Sequence, residues 1–172
     1  MPTALVKRTA LILLLGLVAV WVQGGVLRSI VSDNGIVPNL ILILVVYLAF
    51  YEANPFGALL AFLLGFEFDL LSGVRLGPWA GSFVLLFGLL SCFAQRIFVE
   101  SLLATAVVVF FSSLVVSLVY FLCTYELHPL SSSRGGYILI EALLTAVLAP
   151  IVFKLLRLIV RRREQVTASG YL

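Results

Sequence analysis

The chain has 172 residues, of which 63% are hydrophobic and only 11% charged, with a formal net charge of +3. A soluble domain carries about 25% charged residues, so this chain cannot cover its own surface in water. It reads as an integral membrane protein with room for one helical bundle and no sizeable soluble domain. The basic residues collect at the flanks of apolar runs, which excludes a nucleic-acid-binding surface as the meaning of the positive charge.

The apolar runs come in order. Lys7 and Arg8 precede the first, 9–27. That run exceeds the ~7–15-residue apolar core of a signal peptide and lacks an A-x-A cleavage site, so it is expected to be the first membrane helix. After a polar connection with Asp33, Asn34 and Gly35, the second span is expected at 36–51. Pro38 is placed in its first turn, where a missing N–H costs nothing, and Asn39 follows. The turn Glu52–Ala53–Asn54 is so short that the third span, opened by Pro55 and expected at 55–72, must lie antiparallel to the second.

The third span carries the most informative pattern. Gly57, Ala61 and Gly65 recur every four residues and fall along one helix side. Small side chains at that spacing let another helix backbone approach closely in a membrane. With Gly77 and Gly81 beyond the following turn, they are expected to form a helix-packing or partner interface. Asp69 continues the same row and Glu67 lies near it; an acid in a membrane helix is costly unless it faces other helices or water, so Asp69 is a functional candidate. Ser72 to Pro78 reads as a tight polar turn.

The fourth span is expected at 78–94, closed by Gln95 and Arg96, and the fifth at 101–123. Ser112, Ser113 and Ser117 in the fifth can bond back to i−4 carbonyls or across helices. The longest loop, 124–136, holds His128, Ser131, Ser132, Ser133 and Arg134. The sixth span, 137–160, contains Glu141 and Pro150, and Pro150 is expected to kink it. Arg161, Arg162 and Arg163 mark the membrane boundary and suit anionic lipid headgroups. Residues 1–163 are thus expected to form a single six-helix transmembrane domain, followed by a polar, mobile cytoplasmic tail at 164–172.

Charge sets the expected orientation. With the N-terminus inside, Lys7, Arg8, Arg96, Lys154, Arg157, Arg161, Arg162 and Arg163 are cytoplasmic, against Arg28, Arg75 and Arg134 outside. The bias obeys the positive-inside rule, and an even span count returns the C-terminus to the cytoplasm. Cys92 and Cys123 fall late in adjacent spans, hence at opposite faces, too far apart for a disulfide. One histidine and no CxxC argue against structural zinc. No phosphate-binding loop is present, and no base partners the loop serines, so the residues offer no catalytic apparatus and no cofactor site.

This topology gathers Gln23, Asn39, Glu67, Asp69, Arg75, Arg134 and Glu141 toward the outer half. They read either as ordinary polar helix ends or as an outward-facing recognition surface. In the second case, loss of Asp69 or Glu141 impairs function while leaving insertion intact.

Three segments carry a family resemblance: Pro38–Asn39–Leu40–Ile41–Leu42 opening the second span; Gly57, then Gly65 with Asp69 four residues on, then Leu76–Gly77; and the Pro150-containing last helix, Leu143 to Phe153. In order and spacing they resemble the bacterial rod shape-determining protein MreD family. Asn39 stands where an aspartate is common, Glu67 where the family is usually apolar, and Ala61 where glycine is frequent. The resemblance implies a non-enzymatic protein of the bacterial cytoplasmic (inner) membrane, part of the elongation machinery that builds lateral cell wall. Its implied partners are an MreC-like bitopic scaffold, a SEDS-type glycosyltransferase, a class B penicillin-binding transpeptidase and, indirectly, the actin-like MreB. It also implies a fold resembling the S components of energy-coupling-factor transporters. The alternative is therefore a substrate-binding membrane subunit of a vitamin-type transporter, with Trp79 and Tyr137 as pocket candidates.

Overall fold

Apolar runs punctuated by proline and asparagine produce an all-helical chain. The computed structural model describes residues 2–27, 36–72, 76–94, 101–124 and 134–169, and no strand occurs among them. The helices are α1 (Pro2–Trp21, continued by a π-helical segment Val22–Leu27), α2 (Leu40–Tyr51), α3 (Pro55–Ser72), α4 (Pro78–Phe93), α5 (Leu102–Thr124) and α6 (Arg134–Ser169).

Several boundaries depart from expectation; α1 begins at Pro2 rather than at 9. The second helix begins at Leu40, not 36, because Asn39 caps it: its backbone is extended (φ −87°, ψ 91°) and its side chain accepts from the Leu42 N–H at 3.0 Å. Pro38 therefore precedes the cap instead of sitting in the first turn. The last helix continues as far as Ser169 and passes through Pro150. The segment 164–169, expected as a mobile tail, is helical, in keeping with the good helix formers Arg, Glu and Gln that carry it past the apolar stretch.

The centre of the bundle is α2. Its sequence, LILILVVYLAFY, is apolar on every side, and Ile41 to Ala49 are all buried. A helix apolar all round must be surrounded, and α2 contacts α1, α3, α4, α5 and α6. The outer helices run up and down around it. Gly65 meets Ala80 and Gly57 meets Phe87, making α3 and α4 antiparallel. Tyr47 packs edge-on against Phe153 with ring centroids 5.5 Å apart, and the Arg157 guanidinium lies 5.4 Å from the Tyr51 ring centre, making α2 and α6 parallel.

The exterior is as apolar as the core. Leu14, Leu17 and Trp21 on α1, Leu59, Phe62 and Phe66 on α3, Leu85 and Leu89 on α4, Leu103 and Phe111 on α5, and Leu143 and Val147 on α6 are all exposed. Such a continuous apolar surface far exceeds the few hundred Å² that a water-soluble monomer tolerates. Leu102–Thr124 and Gly136–Ile159 are each long and apolar enough to cross a membrane. Polar side chains turn inward instead: Ser82, Thr105, Ser112 and Thr145 are buried and each donates to the carbonyl four residues earlier.

The close α3–α4 approach generates a prediction. A β-carbon at Gly65 would stand 2.5 Å from the Ala80 Cα, whereas one at Gly88 meets nothing within 4 Å. Gly65→Val is expected to destabilise the detergent-solubilised protein by about 1–3 kcal/mol. Gly88→Ala is expected to leave its melting temperature unchanged or raised, since alanine is the better helix former. Thermal unfolding followed by tryptophan fluorescence measures both.

Candidate functional site

The expected polar residues resolve into separate nodes, each organised by a different backbone need. The first is the N-terminus of α4. Gly77, the residue before that helix, has φ 113° and no side chain with which to cap it. Asp69 reaches across from α3 and accepts from three backbone N–H groups: Gly77 (3.0 Å), Trp79 (3.1 Å) and Ala80 (3.0 Å). The carboxylate is 1% exposed. A helix N-terminus offers unsatisfied N–H groups and the positive end of the helix dipole, so a buried carboxylate there is well placed. The reach depends on Gly65, one turn earlier, which lets the α3 backbone lie against Ala80 and Trp79. Trp79 then packs between helices, with ring centroids 4.8 Å from Phe68 and 4.5 Å from Tyr120.

The second node is the N-terminus of α2. Beyond the Asn39 side-chain cap, the Asn39 N–H donates to Thr145 Oγ1 on α6 at 3.0 Å, and the Leu40 N–H donates to Gln23 Oε1 at 3.2 Å. Three stretches of chain thus meet at one helix start. Glu141 lies half-buried one turn before Thr145, and its backbone carbonyl accepts the Thr145 hydroxyl at 2.7 Å.

The third node is the seam between α1 and α3. Glu67, partly exposed, sets its carboxylate against Gly16. A fourth node lies at the opposite end of the bundle, where Glu52, 9% exposed, follows α2 next to Asn54; Asn54 Oδ1 in turn caps α3 by accepting the Gly57 N–H at 2.8 Å. Sequence reading took Glu52 for a turn residue and overlooked Gly16. Nothing in the local sequence marks Gly16, because its neighbours Leu64 and Glu67 lie some fifty residues on.

The small-residue row Gly57–Ala61–Gly65 is buried and faces inward: Gly57 stands against Phe87 and Gly65 against Ala80, both on α4 of the same chain. Gly77 and Gly81, in contrast, are exposed with open space around their α-carbons. Tyr137 is exposed on α6 and Trp79 is held in its aromatic cluster. Arg75, His128 and the serines 131–133 lie outside the described residues, and Arg134 opens α6. Among the described residues no group of three His, Cys, Asp or Glu side chains comes together. Cys92 and Cys123 are free, near the ends of α4 and α5. An apolar groove of about 390 Å³ runs between α4 and α5, lined by Leu86, Leu89, Phe93, Val107, Phe111 and Val115, away from the Asp69 end.

Comparison with known families matches residues 6–159 to the model of the rod shape-determining protein MreD. Comparison with curated proteins and with solved structures gave no match.

Removing the Asp69 carboxylate strips the acceptor from three N–H groups. Asp69→Ala is expected to cost about 2–4 kcal/mol, since a buried donor left unsatisfied costs ~1–3 kcal/mol and the Ala80 N–H is buried while those of Gly77 and Trp79 are partly so. Asp69→Asn, which keeps one acceptor oxygen, is expected to fall between the two. Asn39→Ala, which removes a single capping bond, is expected to cost only about 1 kcal/mol. Melting temperatures in one detergent rank the four proteins; equal values for wild type and Asp69→Ala contradict the capping role.

Proposed function

The chain belongs to the rod shape-determining protein MreD family, and from that premise we propose that it is a non-catalytic, multi-pass component of the bacterial cytoplasmic membrane that helps organise lateral peptidoglycan synthesis. Its place is among an MreC-like bitopic scaffold, a SEDS-type glycosyltransferase and a class B penicillin-binding transpeptidase, with the actin-like MreB as an indirect partner. The orientation that follows puts both termini in the cytoplasm, as the distribution of lysine and arginine requires.

One observation supports a scaffold over a chemical role. The described polar side chains at the Asn39 and Asp69 nodes are engaged in holding helix starts. Small-molecule sites are usually concave, with a few polar groups converging on the ligand. The groove between α4 and α5 has an apolar lining of Leu, Val and Phe with Ser112 as the single polar contributor, and Ser112 spends its hydroxyl on the Val108 carbonyl. The apolar exterior is a surface suited to membrane helices of other proteins.

The test is complementation. In a rod-shaped bacterium depleted of its own MreD-family protein, expression of this chain is expected to restore rods from rounded cells. Gentle purification from those cells is expected to bring an MreC-like scaffold and wall synthases with it. Cells that stay round despite a normal membrane level of the chain overturn the proposal. Co-purification of an ATPase module with a stoichiometric vitamin also overturns it and makes the chain a transporter subunit.

A further inference from the structure

The seam between α1 and α3 holds a carboxylate oxygen with no hydrogen-bond partner: Glu67 Oε1 is buried and nothing donates to it. The other oxygen faces Gly16, where a β-carbon would stand 2.9 Å from Oε2 and would also run into the Leu64 side chain. Gly16 is thus the residue that leaves room for the acid. Beside this point, at about 100° per residue from Gly16 and Glu67, exposed apolar side chains stand on both helices: Leu17 on α1, and Phe66 and Leu70 on α3. Asp69, two residues on, has its three backbone donors, whereas Glu67, itself partly exposed at the seam, has none at Oε1. Lipid acyl chains supply no donor, and an acid left against them is costly.

We propose that the α1–α3 seam is the docking face for a membrane helix of another protein that brings an arginine or lysine to Glu67. Charge complementarity selects this occupant. The apolar stripe on either side of Glu67 suits a helix lying along the seam, and the acid asks for a cation at one depth. Glu67 lies five residues before the end of α3 at Ser72, or about 7.5 Å along the axis at ~1.5 Å per residue. The long stem of an arginine or lysine at the flank of a membrane helix spans that distance. The inference rests on the reading of this chain as a membrane scaffold and names the surface that such a scaffold uses.

The experiment places a photo-crosslinking amino acid at Phe66 or at Leu17, with Leu103 on α5 as a remote control, in cells whose rod shape depends on this chain. Phe66 and Leu17 are expected to give an adduct with one other membrane protein, and Leu103 none. Glu67→Leu is expected to reduce the adduct at least about tenfold, the loss of a charge-assisted contact, and Glu67→Gln severalfold. Glu67→Lys is expected to abolish it, and an acidic replacement of the partner's basic residue is expected to restore it. Unchanged melting temperatures show that the variants fold. An adduct of twice the chain's mass, lipid adducts alone, or an adduct indifferent to Glu67→Leu each overturns the proposal. If the wild-type chain restores rods and yields no adduct, the docking face is wrong and the scaffold reading stands; if it fails to restore rods, the scaffold reading fails first.

Discussion

A single carboxylate fixes the junction between α3 and α4. Asp69 holds the N–H groups of Gly77, Trp79 and Ala80, and so joins the end of one helix to the start of the next. The contact closes only because Gly65 has no side chain between the two backbones. Glycine, three intervening residues, aspartate and a downstream Leu76–Gly77 therefore form one mechanical unit. The glycine sets the distance, the aspartate supplies the acceptor, and Gly77 adopts the positive φ that turns the chain toward it. The accepting carboxylate is itself buried, as is its bond to Ala80, which makes the loss of that cap expensive.

The same demand explains the start of α2. This helix of 12 residues is about 18 Å long at ~1.5 Å per residue, well short of a hydrocarbon layer of about 30 Å. If the bundle crosses that layer, both ends of α2 lie where water cannot satisfy them, and protein must do so. Asn39, Gln23 and Thr145 serve one end, and Glu52 and Asn54 frame the other. Short central helices and caps borrowed from neighbouring helices are two aspects of one constraint. Of the residues that resemble an outward polar surface when read along the chain, Gln23, Asn39 and Asp69 are fastenings of helix starts.

Much of the architecture was legible beforehand. The apolar runs, the Pro55 and Pro78 helix starts and the short Glu52–Asn54 link located the helices, because helix starts and stops are written in local residue chemistry. The importance of Asp69 was visible from the cost of an acid in an apolar helix, although its role was not. Its three donors lie eight to eleven residues away across a turn, and no periodicity reports which N–H a side chain will meet. In the small-residue row, Gly57 and Gly65 both stand against α4 of the same chain, a choice made by chain connectivity.

By itself the sequence determined that this protein is helical, that its surface belongs in lipid and that it resembles the MreD family, since composition, run length and motif order are properties of the chain alone. Tertiary structure decided which helix lies at the centre, which polar groups are satisfied and which are not. Asp69 and Glu67 are two residues apart and indistinguishable by type of chemistry, but one meets a helix N-terminus and the other a bare glycine on α1. Packing separates them, because successive helix positions differ by about 100° and so two neighbours in sequence face different partners in space.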